Sequence, residues 1–399
     1  MPAISPSKPL DIFAKDYLTV AQDVSAILAE QAAQHDAEAG LPIEEIATLK
    51  ESGLLLLPIP RQFGGAGATW PQLYRVVQIL ANASGSIGQI YANHMTLVNV
   101  PAVLGRPGQD EHYYRLTAQS NALWANALNA RDARLKIEAT PEGFRVNGVK
   151  SFGTGVAIAD FNLIGAAMDG AEDPVAFVIP GDRSGVSYNH DWHNMGQRRT
   201  VSGSYTFKDV QVSPDEILGP PPVPTSGFPT LVFLVAQLGK VYTYLGIAEG
   251  ALNAAKDYTN LTARPWQNAG VDQASQDPYI LQQYGELWAD LQAAIALADK
   301  AALQVQTGWE KNIDLTLEER GEIAIPVAAA KATAIKVGLN LVNQVFDVMG
   351  ARATASRYGF DRYWRDLRTF SLHDPRAYKY KTIGNWFLNQ VFPTPSQYS

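Results

Sequence analysis

From Leu18 to about Leu104, apolar residues recur at helical intervals, with breaks where turn residues cluster. The Ala/Gln/Glu-rich stretch Val20 to Ala37 predicts one helix, and Ile43 to Ser52, stopped by Gly53, predicts another. Leu54 to Pro58 leads into the glycine-rich turn Phe63-Gly64-Gly65-Ala66-Gly67, after which Trp70 to Ala83 resumes helical spacing. Near Trp124 the period shortens to two. Lys136 to Thr140 and Gly143 to Phe152 alternate apolar and polar residues, and Asn147-Gly148 between them reads as a hairpin turn. Further strands are expected at Phe161 to Met168, Val175 to Ile179, Gly185 to Tyr188 and Ser204 to Val212, short elements that suit an antiparallel barrel. The proline-rich Gly219 to Pro224 reads as a linker. Beyond it, Leu281, Tyr284, Trp288, Leu291 and Ile295 share one helix face, as do Ile335, Gly338, Val342, Val345 and Met349. Thr316 with Glu319 fits a capping box, and long striped helices predict a bundle. The expected fold is α+β and multi-domain: an all-α N-terminal domain over 1–120, a central antiparallel β-barrel over 121–224, and a C-terminal helix bundle over 225–399.

Composition narrows the function. Only 18% of the 399 residues are charged, against about 25% in an average chain, while 46% are hydrophobic, so part of the surface is expected to be buried in an oligomer. A net charge of -7 without a basic cluster gives a phosphate backbone nothing to hold, and nucleic acid is excluded as a partner. Zero cysteines exclude disulfides, thiolate nucleophiles, iron-sulfur clusters and Cys-ligated zinc. Met1 to Lys15 carries no apolar run of signal-peptide length, and no later stretch has ~18 uninterrupted apolar residues. A soluble, cytoplasmic protein without a membrane partner is expected.

The familiar catalytic signatures are missing. Gly64 to Gly67 follows helices where a dinucleotide fingerprint needs a strand, and there is no Walker loop, nucleophile elbow or zincin pair. His190 and His193 have only Asp191 for company, so no metal site is expected. His94 lies on an apolar helix face, where a satisfied core histidine is the commoner case; His373 beside Asp374-Pro375 sits on a bend and is the better proton carrier. Arg264 and Arg352 could bind a phosphate or pair with carboxylates. In Lys150-Ser151-Phe152-Gly153-Thr154 an aromatic and a hydroxyl two residues apart suit stacking on a flat ligand and bonding to its edge, and equally suit plain sheet packing.

The order of helices, short strands and helix bundle resembles the acyl-CoA dehydrogenase superfamily, whose third domain is a four-helix bundle. The residues that carry the likeness are Leu57-Pro58-Ile59-Pro60 to Gly67, Lys150-Ser151-Phe152-Gly153-Thr154, Gly196-Gln197-Arg198 with Ser202, Phe207 and Val210, and Gln344 to Gly350. The superfamily's dehydrogenases carry a glutamate base in a segment that here reads Arg365-Asp366 and then Leu372-His373-Asp374-Pro375. A carboxylate one methylene shorter and pinned by proline argues against that chemistry. Leu261-Thr262-Ala263-Arg264-Pro265-Trp266, Gly350-Ala351-Arg352 and the run Arg357 to Arg365 are instead similar to the two-component flavin monooxygenases of organosulfur assimilation.

That resemblance implies reduced FMN, rather than FAD, supplied by a separate NAD(P)H-dependent flavin reductase. It also implies molecular oxygen as co-substrate, a flavin C4a-hydroperoxide as oxygen donor, and a homotetramer. The substrate it implies is an organosulfur compound, a small sulfinate ahead of dibenzothiophene. Position by position it makes Phe152 and Trp192 walls of the flavin pocket, Thr154 and Ser202 flavin contacts, and Arg264 and Arg352 cofactor anchors, Arg264 across a subunit interface. His94, His373, Asn126 and Thr154 become the expected catalytic residues, with Arg198 or Arg199 as the cation a sulfinate would need. The competing expectations are an FAD-dependent acyl-CoA dehydrogenase or oxidase using Asp374, a nitrogen-hydroxylating flavin monooxygenase, and a flavin-binding protein without catalysis.

Overall fold

The computed structural model describes residues 16–129, 131–171, 174–220 and 225–399, so Met1 to Lys15 and the end of the proline-rich linker lie outside the described residues. Six helices form the N-terminal layer: α1 (Tyr17–Glu38), α2 (Ile43–Ser52), α3 (Trp70–Ala83), α4 (Gly85–Leu97), α5 (Val100–Leu104) and α6 (Gln109–Ser120). The predicted starts and stops recur in detail, including Gly53 at φ +74° closing α2. The glycine-rich turn spends its own amides. Gly64, Gly65, Ala66 and Gly67 donate to the carbonyls of Arg61, Pro60, Leu56 and Ile59, which leaves no anion cradle.

The middle region holds β1 (Trp124–Ala127), β2 (Lys136–Thr140), β3 (Gly143–Lys150), β4 (Phe161–Ala166), β5 (Val175–Pro180), β6 (Val186–Tyr188) and β7 (Tyr205–Val212). The antiparallel barrel is not formed. The strands make two separate sheets, β1-β4-β5 and β2-β3-β7-β6, and neither closes on itself. The pattern misled because β1 runs parallel to β4, a pairing that needs a long crossover, and the hairpin β2-β3 that fills the crossover pairs with β7 instead. Asn147-Gly148 is likewise not a turn. The hairpin bends at residues 141–142, and Asn147-Gly148 is a bulge inside β3 where the register with β7 slips. Gly148 sits at φ +125° with its missing Cβ only 2.2 Å from the Arg134 carbonyl, so glycine is required there for space as well as conformation. Asp209 answers from β7, accepting from and donating to the Asn147 amide at 3.3 and 2.8 Å.

The C-terminal region consists of α7 (Phe228–Leu261), α8 (Pro278–Lys311), α9 (Leu317–Met349), α10 (Asp361–Phe370) and α11 (Arg376–Asn389). The Thr316/Glu319 capping box opens α9. The stripe Ile335 to Met349 is buried throughout, whereas the α8 stripe divides, with Leu291 and Ile295 inside and Leu281 and Trp288 on the surface. Helices α7 and α9 are long and apolar enough to cross a membrane, but their most apolar windows are 83% and 61% buried inside the protein. α7 is wrapped by α3, α4, α8 and α9. Its close approach to α3 depends on glycine: a Cβ at Gly246 would lie 2.4 Å from the Gln78 carbonyl, and one at Gly250 would lie 2.1 Å from that of Asn82.

Two ion-pair seams tie the layers together. Arg199, in the segment between β6 and β7, grips Glu45 of α2 with Nε and Nη2 at 2.9 and 2.7 Å, and Arg365 of α10 grips Asp36 of α1 with both of its terminal nitrogens. We expect Gly246→Ala to destabilise the protein by about 1–3 kcal/mol through overpacking at the α3–α7 contact. Urea denaturation checks this, and an unchanged midpoint would contradict the contact described.

Candidate active site

β3 delivers the chain into a segment held on both sides. Lys150, 1% exposed, donates to the Asp132 carbonyl at 2.7 Å, while the Asp132 carboxylate accepts from the Ser151 amide and hydroxyl at 2.9 and 2.7 Å. Arg134 closes that clamp in two-pronged fashion and, with Ser151, holds the Asp132 carboxyl well below the usual range. The lysine of the Lys-x-aromatic-x-Thr run is thus an anchor. From there Gly153 and Gly155 donate to the carbonyls of Gly203 and Thr200, both at 3.1 Å, so residues 152–155 lie against 200–203.

This pairing presents an aromatic to the outside. Phe152 is 61% exposed and stands at φ +60°, a conformation that a bulky side chain adopts only when its surroundings force it. Trp192 meets it edge-on at 6.3 Å and is fixed by its indole N–H on the Gln197 carbonyl at 2.8 Å. Behind the aromatics runs a chain of hydroxyls. Thr200 donates to the Gln197 carbonyl, which obliges Ser202 to donate to Thr200 and Thr154 to donate to Ser202, each step 2.8 Å long. Thr154 also receives the Gln89 amide of α4 at 3.5 Å, so its remaining lone pair is an acceptor only. Both ends of the Gln197 amide and the Gln89 carbonyl are buried with no partner among the described residues. Such orphans suit a ligand that offers donors and acceptors along one edge.

Phe152, Thr154, Trp192 and Ser202 therefore come together as expected. Asn126 lies in β1, half-buried, with no side-chain hydrogen bond among the described residues. His94 is a different case. It is fully buried, its Nδ1 accepts from the Trp124 amide at 3.1 Å, and its Nε2 then donates to the Leu55 carbonyl at 2.8 Å. Burial pushes its pKa down to about 4. With both nitrogens used by main chain, His94 is a strut between the helical layer and β1, and the expected proton-carrying role requires one of these two bonds to give way. Arg264 and Arg352 are exposed, and their guanidiniums make no ion pair among the described residues. Arg199 is ion-paired with Glu45 and is not a free cation, whereas Arg198 makes only a 3.3 Å bond to the neutral Ala37 carbonyl and has no ion pair among the described residues.

His373 retains a free nitrogen. Its Nδ1 lies 3.1 Å from Asp374 Oδ1, which leaves Nε2 open, and 38% of the side chain is exposed. Asp374 is buried against Lys331 of α9 and, at 2.8 Å, Lys379 of α11. Burial opposes its ionisation, but His373 and the two lysines outweigh that and hold the carboxyl well below the usual range. The sequence signal missed here is Lys331 itself, a lone cation one turn before Ile335 in an otherwise apolar stripe. Gln89 and Thr200 gave no such signal, and Gln197 was visible only as part of the Gly196-Gln197-Arg198 run, with no role of its own.

The Gln197 turn, in the left-handed region at φ +55°, is seated by its amide on Asp366 of α10 at 2.5 Å. Asp366 is buried beside Asp36, and burial first, then that neighbour, raise its pKa to about 7.

The chain belongs to the acyl-CoA dehydrogenase family: the model of that family's N-terminal domain matches residues 18–120, and the model of its C-terminal domain matches residues 238–375. Its likeness to monooxygenases built on this fold is extensive. Dibenzothiophene monooxygenase of Rhodococcus erythropolis is 40% identical over 98% of this chain and 99% of its own length. The solved structure of the methanesulfinate monooxygenase MsuC from Pseudomonas fluorescens superposes with a TM-score of 0.94 at 37% identity, over 96% of this chain and 100% of that one. FMN-bound TdsC from Paenibacillus sp. A11-2 gives 0.91 at 39% identity, over 96% and 99%.

Asp366 generates a test of the seating. An unfolded aspartate ionises near 3.8 while the folded one ionises near 7, so the group contributes stability that is full below 3.8 and is lost as pH rises to 7. We expect Asp366→Asn, which keeps an acceptor for Gln197, to gain on the wild type by a few kcal/mol at most as pH is raised from 4 to 7. Chemical denaturation at several pH values measures that difference, and a constant difference would show that Asp366 does not titrate in this window.

Proposed function

We propose that this protein is a reduced-FMN-dependent monooxygenase that transfers one oxygen atom from molecular oxygen to an organosulfur compound. The observation that carries the reading is Phe152, an exposed, conformationally forced aromatic backed by an acceptor hydroxyl, in a chain that superposes along its length on an FMN-bound relative. Reduced FMN would supply the two electrons that activate molecular oxygen, one oxygen atom going to sulfur and the other leaving as water.

The rest is the work of this chain's own residues. Phe152 and Trp192 wall the ring, and Thr154, whose proton is spent on Ser202, accepts from an N–H on the reduced ring's edge. Gln89 and Gln197 offer their unpaired groups to the polar edge, and Asn126 is free to orient an oxygen. Asp374 fixes His373 with Nδ1 protonated, so Nε2 is the atom that holds or returns a proton beside the reacting oxygen. Arg264 and Arg352 reach the cofactor phosphate, Arg264 from a neighbouring subunit. The exposed Leu281 and Trp288 of α8 and Phe387 and Leu388 of α11 are apolar surface that a homotetramer would cover. An NAD(P)H-dependent flavin reductase supplies the reduced FMN, and the same reading assigns the enzyme to the cytoplasm. Acyl-CoA dehydrogenation is disfavoured, because a carboxylate held by His373, Lys331 and Lys379 is too weak a base for an α-proton.

Anaerobic mixing with reduced FMN, followed by oxygen and methanesulfinate or dibenzothiophene, should yield the oxygenated product. His373→Ala should lower coupled oxygenation about 100-fold and divert the electrons to free hydrogen peroxide. Peroxide without product in the wild type, or undiminished coupling in the variant, would overturn the respective claim.

A further inference from the structure

We infer that Tyr398 is a further residue of the active site: residues 397–399 are strapped back across the helix bundle so that this ring closes the space between His373 and Arg131 against water. The inference rests on the monooxygenase reading and adds the wall that keeps oxygen transfer from turning into peroxide release.

After α11 the chain doubles back. Phe392 lies on Gly321 of α9, where a Cβ would come within 2.7 Å of its ring. Residues 394–399 then close on themselves. The Ser396 and Ser399 amides donate to each other's carbonyls at 3.3 and 3.0 Å, and the Ser399 hydroxyl donates to the Thr394 carbonyl at 2.7 Å. Three side chains from three helices take three successive carbonyls of this segment. Gln237 of α7 donates to that of Gln397 at 2.9 Å, Lys379 of α11 to that of Tyr398, and Arg320 of α9 to that of Ser399. Each of the three donors is at most 6% exposed, so water does not replace the strap as their acceptor. Releasing it would leave buried polar groups short of partners, which is costly.

Two of these donors also serve His373. Lys379 pairs with Asp374 at 2.8 Å, and Gln237 accepts from Lys331, the other ammonium on Asp374, whose carboxylate fixes the imidazole at 3.1 Å. One network thus sets the strap and the histidine together. What the strap brings to that point is an aromatic ring. Tyr398 meets His373 edge to face, with centroids 6.0 Å apart, and Phe370 meets the same imidazole at 6.4 Å. From the middle region, the Arg131 guanidinium stands over the Tyr398 ring, 5.8 Å from its centre. Arg131 also lines an open concavity with Asp132 and Ser151, and Ser151 directly precedes Phe152. Tyr398 therefore borders the approach to the aromatic wall on one side and covers His373 on the other. Its hydroxyl makes no hydrogen bond among the described residues, so the ring itself is the contribution. Closure decides the fate of the oxygen. With water kept out, one oxygen atom passes from O2 to sulfur and the other leaves as water. With water admitted, the same two electrons and two protons leave reduced FMN and O2 as oxidised FMN and hydrogen peroxide.

The test compares Tyr398→Ala with Tyr398→Phe in the full chain, with circular dichroism melting to confirm that both fold. In the flavin-free protein, diethyl pyrocarbonate should acylate His373 about fivefold faster in the Ala variant, read by peptide mass spectrometry, and the Phe variant, which keeps the ring, should rescue the slow rate. With reduced FMN, oxygen and methanesulfinate or dibenzothiophene, the Ala variant should release about tenfold more peroxide per product formed, and the Phe variant should again rescue the coupling. If His373 is acylated no faster in the Ala variant, or if that variant couples as well as the wild type does, the inference is overturned. A wild type that oxygenates neither sulfur compound, in a protein whose His373 is unmasked by Tyr398→Ala, sinks the monooxygenase reading and upholds the cover on His373.

Discussion

Everything in this molecule is hung on the burial of α7. Until its last turns, where Asn253, Lys256, Asp257 and Asn260 face outward, α7 is packed by neighbours on nearly every side, so its position is set by shape, and the shape is set by the places where backbone meets backbone. Gly246 and Gly250 let α3 lie directly on α7, and α4 follows α3 after the single residue Ser84. The same packing that makes the core therefore fixes Gln89 against Thr154 on one side and, through the Tyr244 hydroxyl on the Phe370 carbonyl at 3.1 Å, the start of the His373 bend on the other. Had the α3–α7 contact been a layer of side chains, both edges of the site would have drifted with it.

The site stores its precision in the backbone. Phe152, Gln197 and Val201 all occupy the left-handed region, each at a cost of about 1–3 kcal/mol, Phe152 and Val201 in the two facing segments and Gln197 in the turn that leads into the second. What holds them there is redundant: the Asp132 clamp on Lys150 and Ser151, the Asp366 seat under Gln197, and the hydroxyl chain from Thr154 to Thr200. A pocket so restrained does not have to be organised by the ring it receives, which is the condition for binding energy to go into chemistry.

Much of the helical architecture could be read from periodicity, because stripes such as Ile335 to Met349 and caps such as Thr316/Glu319 are local properties. The sheets could not, since alternation says that a segment is a strand and is silent about its partner; the β1–β4 pair joins residues 37 apart in the chain, from Trp124 to Phe161. Asn147-Gly148 failed for a related reason, as the same dipeptide serves a turn or a bulge and only the β7 register decides. In the site, Phe152, Thr154, Trp192 and Ser202 were legible as a motif. The struts of His94 were illegible because its partners, Leu55 and Trp124, lie in other elements, and the lysines on Asp374 were illegible because they arrive from two separate helices, α9 and α11.

Two buried groups give the fold an unusual relation to protons. His94 ionises near 4 when folded instead of its ordinary 6.5, so its share of stability is present above 6.5 and drains away as the medium acidifies. Asp366 does the reverse, its share growing over the same interval as pH falls. Between about pH 4 and 6.5 one group's loss offsets the other's gain, and unfolding exchanges few net protons on their account. In that interval unfolding returns a proton to His94 and takes one from Asp366, so the strut under β1 and the seat under the Gln197 turn cancel in the proton balance of global unfolding.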